Sequence, residues 1–287
     1  MKNALTVDLE DYYHVSAFNH VVSQDQWGSL EQRVERNTDL LIQWFKDAGC
    51  KATFFTLGWV VEKNPQIIQR LAKEGHEIAC HSLRHRTVYE MTPLEFREDT
   101  RRAKELLEDV SGKRVLGYRA PSFSITERSL WAFEILADLG FRYDSSIFPV
   151  RHVNYGIPTI PRSSFVVNTS RGPIVEFPMT TLEFAGTRSP LAGGAYLRLL
   201  PYWYTRWGIR YLNRYEGRPV CVYMHPWEID PSQPRLKAGL TARLRHRLGL
   251  TGVEKKLRNL LRDFEFCTLS QLLEEGGKPQ AELALSA

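Results

Sequence analysis

"HEIACHSLRH", residues 76–85, runs from a short apolar segment directly into His81 and His85, which lie four residues apart. The segment EIAC has the length and composition of a buried strand. Two histidines that follow a strand are candidate metal ligands, whereas the same spacing at the start of a helix would carry imidazoles with no chemical role. The rest of the sequence is needed to decide between these two interpretations.

Short strand-like segments alternate with amphipathic helical segments along most of the chain. The strands are ALTVDLE, KATFFTLG, EIACHS, VLGYRAP and PVCVYMHP, and the helices lie within residues 30–49, 64–76, 92–112 and 126–141. Thr92, Pro93 and Glu95 form a capping-box signature at the start of the third helix. This alternation predicts an α/β fold, either a barrel or a layered parallel sheet. Residues 150–215 are less regular.

The bulk composition limits the class of protein. A chain of 287 residues with 43% hydrophobic content can build one large core, and a net charge of +5 suits an anionic partner without requiring one. Four dispersed cysteines predict a reducing compartment and no disulfide framework. The first residues lack the pattern of a signal peptide, and no apolar run reaches the length of a membrane span, so we expect a cytoplasmic protein.

The composition becomes basic and helical from about residue 235. Leu257, Leu260, Leu261 and Phe264 give this segment one apolar face. We therefore predict a main domain over residues 1–235 and a helical C-terminal extension over residues 236–287 that packs on the same domain.

Polar side chains follow several of the predicted strands. They are Asp8, Glu10 and Asp11 after the first strand, His81 and His85, Arg119, and His225. Catalytic residues of α/β folds lie at the carboxyl ends of strands, so we expect these side chains to meet. Two imidazoles and one carboxylate form a three-ligand site with an open position for water, suited to Zn²⁺ or a similar divalent ion.

The first strand offers three carboxylates for that site. If the chain is extended from residue 6 to residue 10, Asp8 and Glu10 point to the same side and Asp11 points away. A second carboxylate close to the metal can then deprotonate the bound water.

Several motifs together resemble those of one known family. TVDLED, ATFFTLG, GHEIACHSLRH, YRAPSF, YDSSIFP and VYMHPWEID occur in the order found in the polysaccharide deacetylases with a NodB homology domain, carbohydrate esterase family 4. The resemblance extends over roughly residues 3 to 230. The DLEDYYH form, the HPWEID ending and the basic extension look closest to the subfamily encoded with exosortase (PEP-CTERM) exopolysaccharide systems.

The resemblance implies a distorted (β/α)7 barrel and a metal-dependent hydrolase. The expected reaction removes N-acetyl groups from amino sugars of a polysaccharide or its lipid-linked precursor, in exopolysaccharide biosynthesis, with Zn²⁺ as the expected cofactor.

Individual roles follow from the same resemblance. It implies that Asp8 is the catalytic base, that Arg119 orients Asp8, and that His225 is the general acid. His81 and His85 become metal ligands. The family has two adjacent aspartates in its first motif, but Leu9 separates Asp8 from Glu10 here. We therefore assign Glu10 as the third ligand by strand alternation, with Asp11 as the substitute.

Three residues are expected to contact substrate. The family has an aromatic residue where this chain has Ser122, but the Ser122 backbone N–H can still donate to an oxyanion. Tyr12 and Trp227 are candidates to stack on sugar rings.

Other functions remain open at this point. An allantoinase-like hydrolase of a small amide would not need the histidine pair, and a catalytically silent carbohydrate-binding protein would have lost one of the candidate residues. The basic segment RLKAGLTARLRHRLG, residues 235–249, lacks a nucleic-acid docking motif, so we expect no nucleic-acid partner. A peripheral contact with membrane or anionic glycan is a further option for it.

Overall fold

The computed structural model describes residues 1–275, 279 and 281–284. The strands are β1 (Asn3–Leu9), β2 (Thr53–Thr56), β3 (Glu77–Cys80), β4 (Gly117–Tyr118), β5 (Tyr143–Asp144), β6 (Phe165–Thr169), β7 (Gly172–Glu176), β8 (Thr181–Phe184), β9 (Thr187–Pro190), β10 (Cys221–Met224), β11 (Phe266–Cys267) and β12 (Glu282–Ala284).

The helices alternate with these strands through the first half of the chain. They are α1 (Val34–Asp47), α2 (Gly58–Lys63), α3 (Pro65–Lys73), α4 (Pro93–Ser111), α5 (Ala132–Asp138), α6 (Gly194–Leu199), α7 (Tyr202–Arg214), α8 (Leu240–Arg247), α9 (Val253–Asp263) and α10 (Leu269–Glu274). None of the helices in the described residues has both the length and the apolarity needed to cross a bilayer.

Seven strands pair in parallel in the order β10-β1-β2-β3-β4-β5-β7. Every residue of β1, β2 and β10 is buried, because helices cover one face of the sheet and the other face encloses a core. Beyond β7 the sheet continues through antiparallel β6 and then β12, and β8 pairs with β9 in a separate hairpin. The predicted α/β class is confirmed.

The sheet curls around a core of its own. Inward-facing side chains of successive strands, including Ala4, Phe55 and Tyr143, form a cluster separate from the larger core between strands and helices. Hydrogen bonds of 2.9 and 3.0 Å between the Thr180 side chain and the Cys221 backbone cross the space between β7 and β10. In the described part of the chain no regular strand closes that space, so the seven-stranded arrangement is a distorted barrel with an open strand ladder.

The start of α4 has the capping interactions that its sequence predicts, whereas α7 was not predicted. The Thr92 side chain accepts a hydrogen bond from the Glu95 N–H at 3.3 Å, and Glu95 Oε2 accepts from the Thr92 N–H at 2.8 Å, which completes the predicted capping box of α4. The irregular region of residues 150–215 nevertheless contains the 13-residue helix α7. Its sequence, YWYTRWGIRYLNR, is rich in aromatic residues, which lower helix propensity and hide the periodic signal.

The C-terminal extension shares the core of the rest of the chain. Val253, Leu257 and Leu260 of α9 are buried in the cluster that lies between strands and helices. The extension also contributes strands, which were not predicted: β11 pairs with the first residues of β1, and β12 pairs with β6. Its short strands have too few residues to show an alternating pattern.

Replacing Leu257 with alanine tests whether the extension folds with the main domain. Because Leu257 is fully buried in the shared core, we expect a loss of about 2–5 kcal/mol in the free energy of unfolding. Leu94→Ala, at a position that is 76% exposed, is the control and should change stability by less than about 0.5 kcal/mol. Circular dichroism and tryptophan fluorescence should report one cooperative transition. A separate early transition of residues 236–287 would contradict a common core.

Candidate active site

The polar residues predicted to follow strands do meet at one edge of the barrel. Asp8 and Glu10 lie at and just beyond the end of β1, His81 follows β3, Arg119 follows β4, and His225 follows β10. Since these strands are parallel neighbours, their carboxyl ends present the five side chains to one shared space.

Glu10, His81 and His85 form a candidate metal site. Each offers one ligand atom, and the three atoms lie within 4.8 Å of one another. The His81 Nδ1 lies 2.8 Å from the Arg119 carbonyl oxygen, so Nδ1–H donates to that carbonyl and Nε2 keeps its lone pair for an ion. Glu10 Oε2 lies 2.9 Å from His85 Nε2, yet this buried oxygen makes no hydrogen bond among the described residues. Such a donor set fits a divalent ion.

Electrostatics favour the ligating forms of these side chains. Burial lowers the pKa of the His81 imidazole to about 4, which keeps it neutral at pH 7. Burial alone would raise the pKa of the Glu10 carboxyl, but its contacts with His85, His225 and His81 outweigh burial and lower it. Neutral imidazoles and an ionised carboxylate are the forms that bind metal.

The histidine stretch is a strained loop and not the start of a helix. Ser82 and His85 have φ angles of 63° and 53°, in the left-handed region that non-glycine residues avoid. The loop is fastened by the Ser82 side chain, which accepts the His85 N–H at 2.9 Å, and by Asp99 of α4, which accepts the Leu83 N–H at 2.8 Å. These bonds hold the strained backbone conformation of the loop. That conformation turns both imidazoles toward Glu10.

The Asp11 carboxylate has a different structural role from that of Glu10. Its Oδ2 accepts the N–H groups of Arg33 and Val34 at 2.6 and 3.0 Å, and its Oδ1 accepts the Tyr12 N–H at 2.9 Å. The carboxylate therefore satisfies free N–H groups at the start of α1 and faces away from the histidines. Of the two ligand assignments left open by the sequence, the geometry supports Glu10.

Arg119 is completely buried and holds Asp8. The Arg119 guanidinium lies 2.7 Å from Asp8 Oδ1. Its other hydrogen bonds reach Thr6 Oγ1 at 2.9 Å, and the carbonyl and hydroxyl of Ser145 at 3.0 and 2.9 Å. These bonds fix Asp8 so that its second oxygen, Oδ2, lies 3.9 Å from His225 Nε2.

His225 lies between carboxylates. Its Nε2 is 3.4 Å from Glu10 Oε1, and its Nδ1 is 3.3 Å from Glu228 Oε2. Burial by itself lowers the pKa of His225, but the hydrogen bond to Glu228 and the charges of Glu228, Glu10 and Asp8 raise it to about 9. The imidazole is therefore protonated at neutral pH, as a general acid must be.

The three predicted substrate contacts are placed differently. Ser122 is partly exposed beside the site, has a φ of 54°, and shares a 2.6 Å hydrogen bond with Ser16. Tyr12 and Trp227 are 1% and 3% exposed. The Trp227 ring stacks against His225 and His246, with ring centroids 5.1 and 4.3 Å away. The prediction that Tyr12 and Trp227 stack on sugar rings is therefore wrong for this structure, because neither ring offers a free face.

A family model described as polysaccharide deacetylase matches residues 25–143, which include both histidines and Arg119. The chain carries a domain of the polysaccharide deacetylase family. Residues 145–274 match a second model, described as a domain of unknown function, DUF3473.

Curated relatives of the deacetylase domain agree with the family model. A peptidoglycan-N-acetylglucosamine deacetylase of Bacillus cereus is 35% identical over 98 residues, 34% of this chain and 36% of that protein. A peptidoglycan deacetylase of Helicobacter pylori is 31% identical over 107 residues, 37% of this chain and 36% of that protein. The chain thus matches about a third of the length of these relatives.

The fold also occurs among solved structures. A Mycobacterium smegmatis protein assigned as a polysaccharide deacetylase superimposes with a TM-score of 0.65 at 19% identity, and the match covers 100% of this chain and 95% of that one. At this identity the likeness concerns the fold alone.

Two functional neighbours of His225 were missed at the sequence level. Glu228 lies three residues after His225, a spacing that suggests a helix cap, and its Oε2 accepts the His225 backbone N–H at 3.0 Å and lies 3.3 Å from His225 Nδ1. Arg198, 2.8 Å from Glu228 Oε1, comes from the irregular region and gave no sequence signal. Together, Glu228 and Arg198 determine the electrostatic environment of the His225 imidazole.

Replacing Glu10 and Asp11 one at a time tests which of them is the metal ligand. We expect Glu10→Ala to lose the bound divalent ion, because it removes the carboxylate that faces both histidines. Asp11→Ala should keep the ion but lose about 1–3 kcal/mol of unfolding free energy, because buried N–H groups of α1 lose their acceptor. Metal content per chain by elemental analysis checks both, and Asp11→Asn provides a milder companion. Metal loss in Asp11→Asn with retention in Glu10→Ala would reverse the assignment.

Proposed function

We propose that this protein is a metal-dependent hydrolase that removes acetyl groups from N-acetylated amino sugars of a glycan. The observation that carries the proposal is the candidate ligand group of Glu10, His81 and His85 beside the Asp8 carboxyl group and the His225 imidazole. Amide hydrolysis needs a base for the water and an acid for the leaving nitrogen, and the site offers one of each next to a place for an ion.

Glu10, His81 and His85 would hold the metal. Two imidazole nitrogens and one carboxylate oxygen with an open position are a ligand set of catalytic Zn²⁺, and we propose Zn²⁺ as the ion. When bound, the ion polarises the amide carbonyl and lowers the pKa of a coordinated water.

Asp8 and His225 each carry one of the two proton transfers of the reaction. Asp8 accepts the proton of the attacking water, in the orientation set by its bond with Arg119. His225 donates its Nε2 proton to the departing nitrogen, which leaves as the free amine of the sugar while acetate is formed. We propose that the Ser122 N–H stabilises the oxyanion. Glu228 keeps His225 charged before each turnover.

The relatives support the class of substrate. The Bacillus cereus protein carries the name of a peptidoglycan-N-acetylglucosamine deacetylase. We propose an N-acetylated glycan as substrate here too, and more specifically an exopolysaccharide or its lipid-linked precursor. The separate model for residues 145–274 is consistent with a specialised subfamily of this kind.

Acetate release tests this function directly. Purified protein would be assayed on a panel of N-acetylated oligosaccharides, before and after a chelator and again after Zn²⁺ is restored. We expect acetate release that the chelator abolishes and the ion restores. Allantoin belongs in the panel as a small-amide control. Glycan binding without acetate release by the metal-loaded protein would instead identify a silent carbohydrate-binding protein.

Variants of the proposed acid and base separate proton transfer from metal binding. Asp8→Asn and His225→Ala should keep the ion while kcat falls by about two to four orders of magnitude, because each removes one aligned proton transfer. Arg119→Ala should lower kcat less, since Arg119 contributes to proton transfer only by orienting Asp8. Metal content and kcat are measured on the same samples.

His20→Ala, at an exposed histidine, is the matched control for the loss of an imidazole and should behave as wild type. If Asp8→Asn loses its metal together with its activity, Asp8 is a ligand and the proposed division of roles is incorrect.

A further inference from the structure

Exposed apolar side chains are concentrated in one part of the sequence. Of the thirteen large hydrophobic residues exposed in the described chain, eight lie between residues 184 and 248. They are Phe184, Leu199, Trp203, Trp207, Tyr215, Leu240, Leu244 and Leu248. Where exposed apolar side chains are also contiguous on the folded surface, they mark a contact site for a partner, whereas single exposed leucines do not.

Helix α8 carries a ridge of leucines that faces solvent. Leu240, Leu244 and Leu248 are spaced by four residues at and just after the helix, and are 71%, 57% and 58% exposed. His246, two residues from Leu244 and so on the opposite side of the helix, is buried against Trp227. The helix is therefore firmly attached by one side while its leucine side is uncovered.

Helix α7 carries an aromatic strip. Trp203, Trp207, Tyr211 and Tyr215 also follow a spacing of four residues. The last three rings contact one another, with centroids 5.8 Å apart for Trp207–Tyr211 and 5.4 Å apart for Tyr211–Tyr215. Phe184 stacks on Trp207 at 5.7 Å and covers it. Trp203 remains 69% exposed.

The two helices meet at the end of α6. The Arg198 guanidinium donates to the carbonyls of Arg245, His246 and Leu248, so the end of α8 is fixed beside the end of α6. Leu199 follows Arg198 directly, is 51% exposed, and leads within three residues into α7. We call the leucine ridge, Leu199 and the aromatic strip the α7–α8 surface.

The charged side chains around the α7–α8 surface are mostly positive. Residues 199–250 contain nine basic side chains and three carboxylates. Glu216 is paired with Arg162 and Arg218, Glu228 is buried against His225, and Asp230 is buried. The exposed charges are therefore cationic; they include Arg210, Arg214, Arg235, Lys237 and Arg245.

We propose that the α7–α8 surface docks on a lipid bilayer with anionic headgroups. Exposed leucines and tryptophans enter the boundary between headgroups and acyl chains, and neighbouring lysines and arginines attract the anionic headgroups. A second copy of the chain is disfavoured, because a two-fold contact would place this cationic surface against itself. A glycan strand is disfavoured because sugars would stack on exposed rings such as Trp203 and leave the leucine ridge of α8 uncovered.

Docking would also orient the candidate active site. Behind the leucine ridge, His246 stacks on Trp227, and Trp227 stacks on His225. The site would therefore lie close to the headgroups, within reach of a glycan attached to a lipid. This consequence rests on the proposed deacetylase function, but docking itself does not, and it is tested without a catalytic measurement.

Vesicle sedimentation of the full chain tests the proposal. We expect the protein to bind vesicles of phosphatidylcholine and phosphatidylglycerol, to bind pure phosphatidylcholine much more weakly, and to lose affinity as salt rises. Leu240→Ser/Leu244→Ser/Leu248→Ser should weaken binding by at least about tenfold. Arg235→Gln/Lys237→Gln/Arg245→Gln should weaken it by about fivefold for each charge removed.

Leu94→Ser is the matched control, because Leu94 is 76% exposed on α4, outside this surface, and it should bind as wild type. Circular dichroism and thermal unfolding show that each variant is folded. Absence of vesicle binding by the wild type, or undiminished binding by both triple variants, would overturn the proposal. So would a leucine variant that only dissociates a dimer in light scattering, or that only loses retention on a soluble anionic polysaccharide.

Discussion

The buried guanidinium of Arg119 constrains the whole candidate site. A charge with no access to solvent is tolerated only when it is paired and its donors are satisfied. Arg119 achieves this by bonding Asp8 and Thr6 of β1 and Ser145 after β5, while its plane lies 4.1 Å from the Phe55 ring of β2. The ends of several strands are thereby held in one arrangement, and Asp8 is positioned by the same bonds that make the arginine acceptable in the core.

A chain of alternating charges extends from this pair through the second half of the protein. Asp8 and Glu10 face His225, His225 faces Glu228, and Glu228 faces Arg198. Arg198 in turn holds the end of α8 through three carbonyls. The C-terminal half therefore supplies His225 and its electrostatic surroundings, and connects them to the α7–α8 surface.

Backbone strain is concentrated where the chemistry is proposed. Five non-glycine residues of the described chain have positive φ, and four of them, Ser82, His85, Ser122 and Phe123, lie in the loops after β3 and β4. Each such residue costs about 1–3 kcal/mol, which the surrounding bonds must offset. The Ser82–His85 and Asp99–Leu83 bonds do so in the histidine loop. Rigid loops of this kind hold ligand atoms ready before an ion binds.

The sequence by itself determined the α/β class, the capping box of α4 and the polar residues that follow the strands. These features can be predicted because they depend on residues a few positions apart, as strand alternation and helix caps do. The choice of Glu10 over Asp11 as a ligand stays a prediction, and β1 ends at Leu9, so strand alternation does not extend to Glu10. Only the tertiary structure decided that Tyr12 and Trp227 are buried, that Glu228 and Arg198 support His225, and that α7 and α8 leave apolar side chains exposed. Those outcomes depend on which distant segments cover a side chain, and contacts such as His246 with Trp227 leave no periodic trace in the sequence.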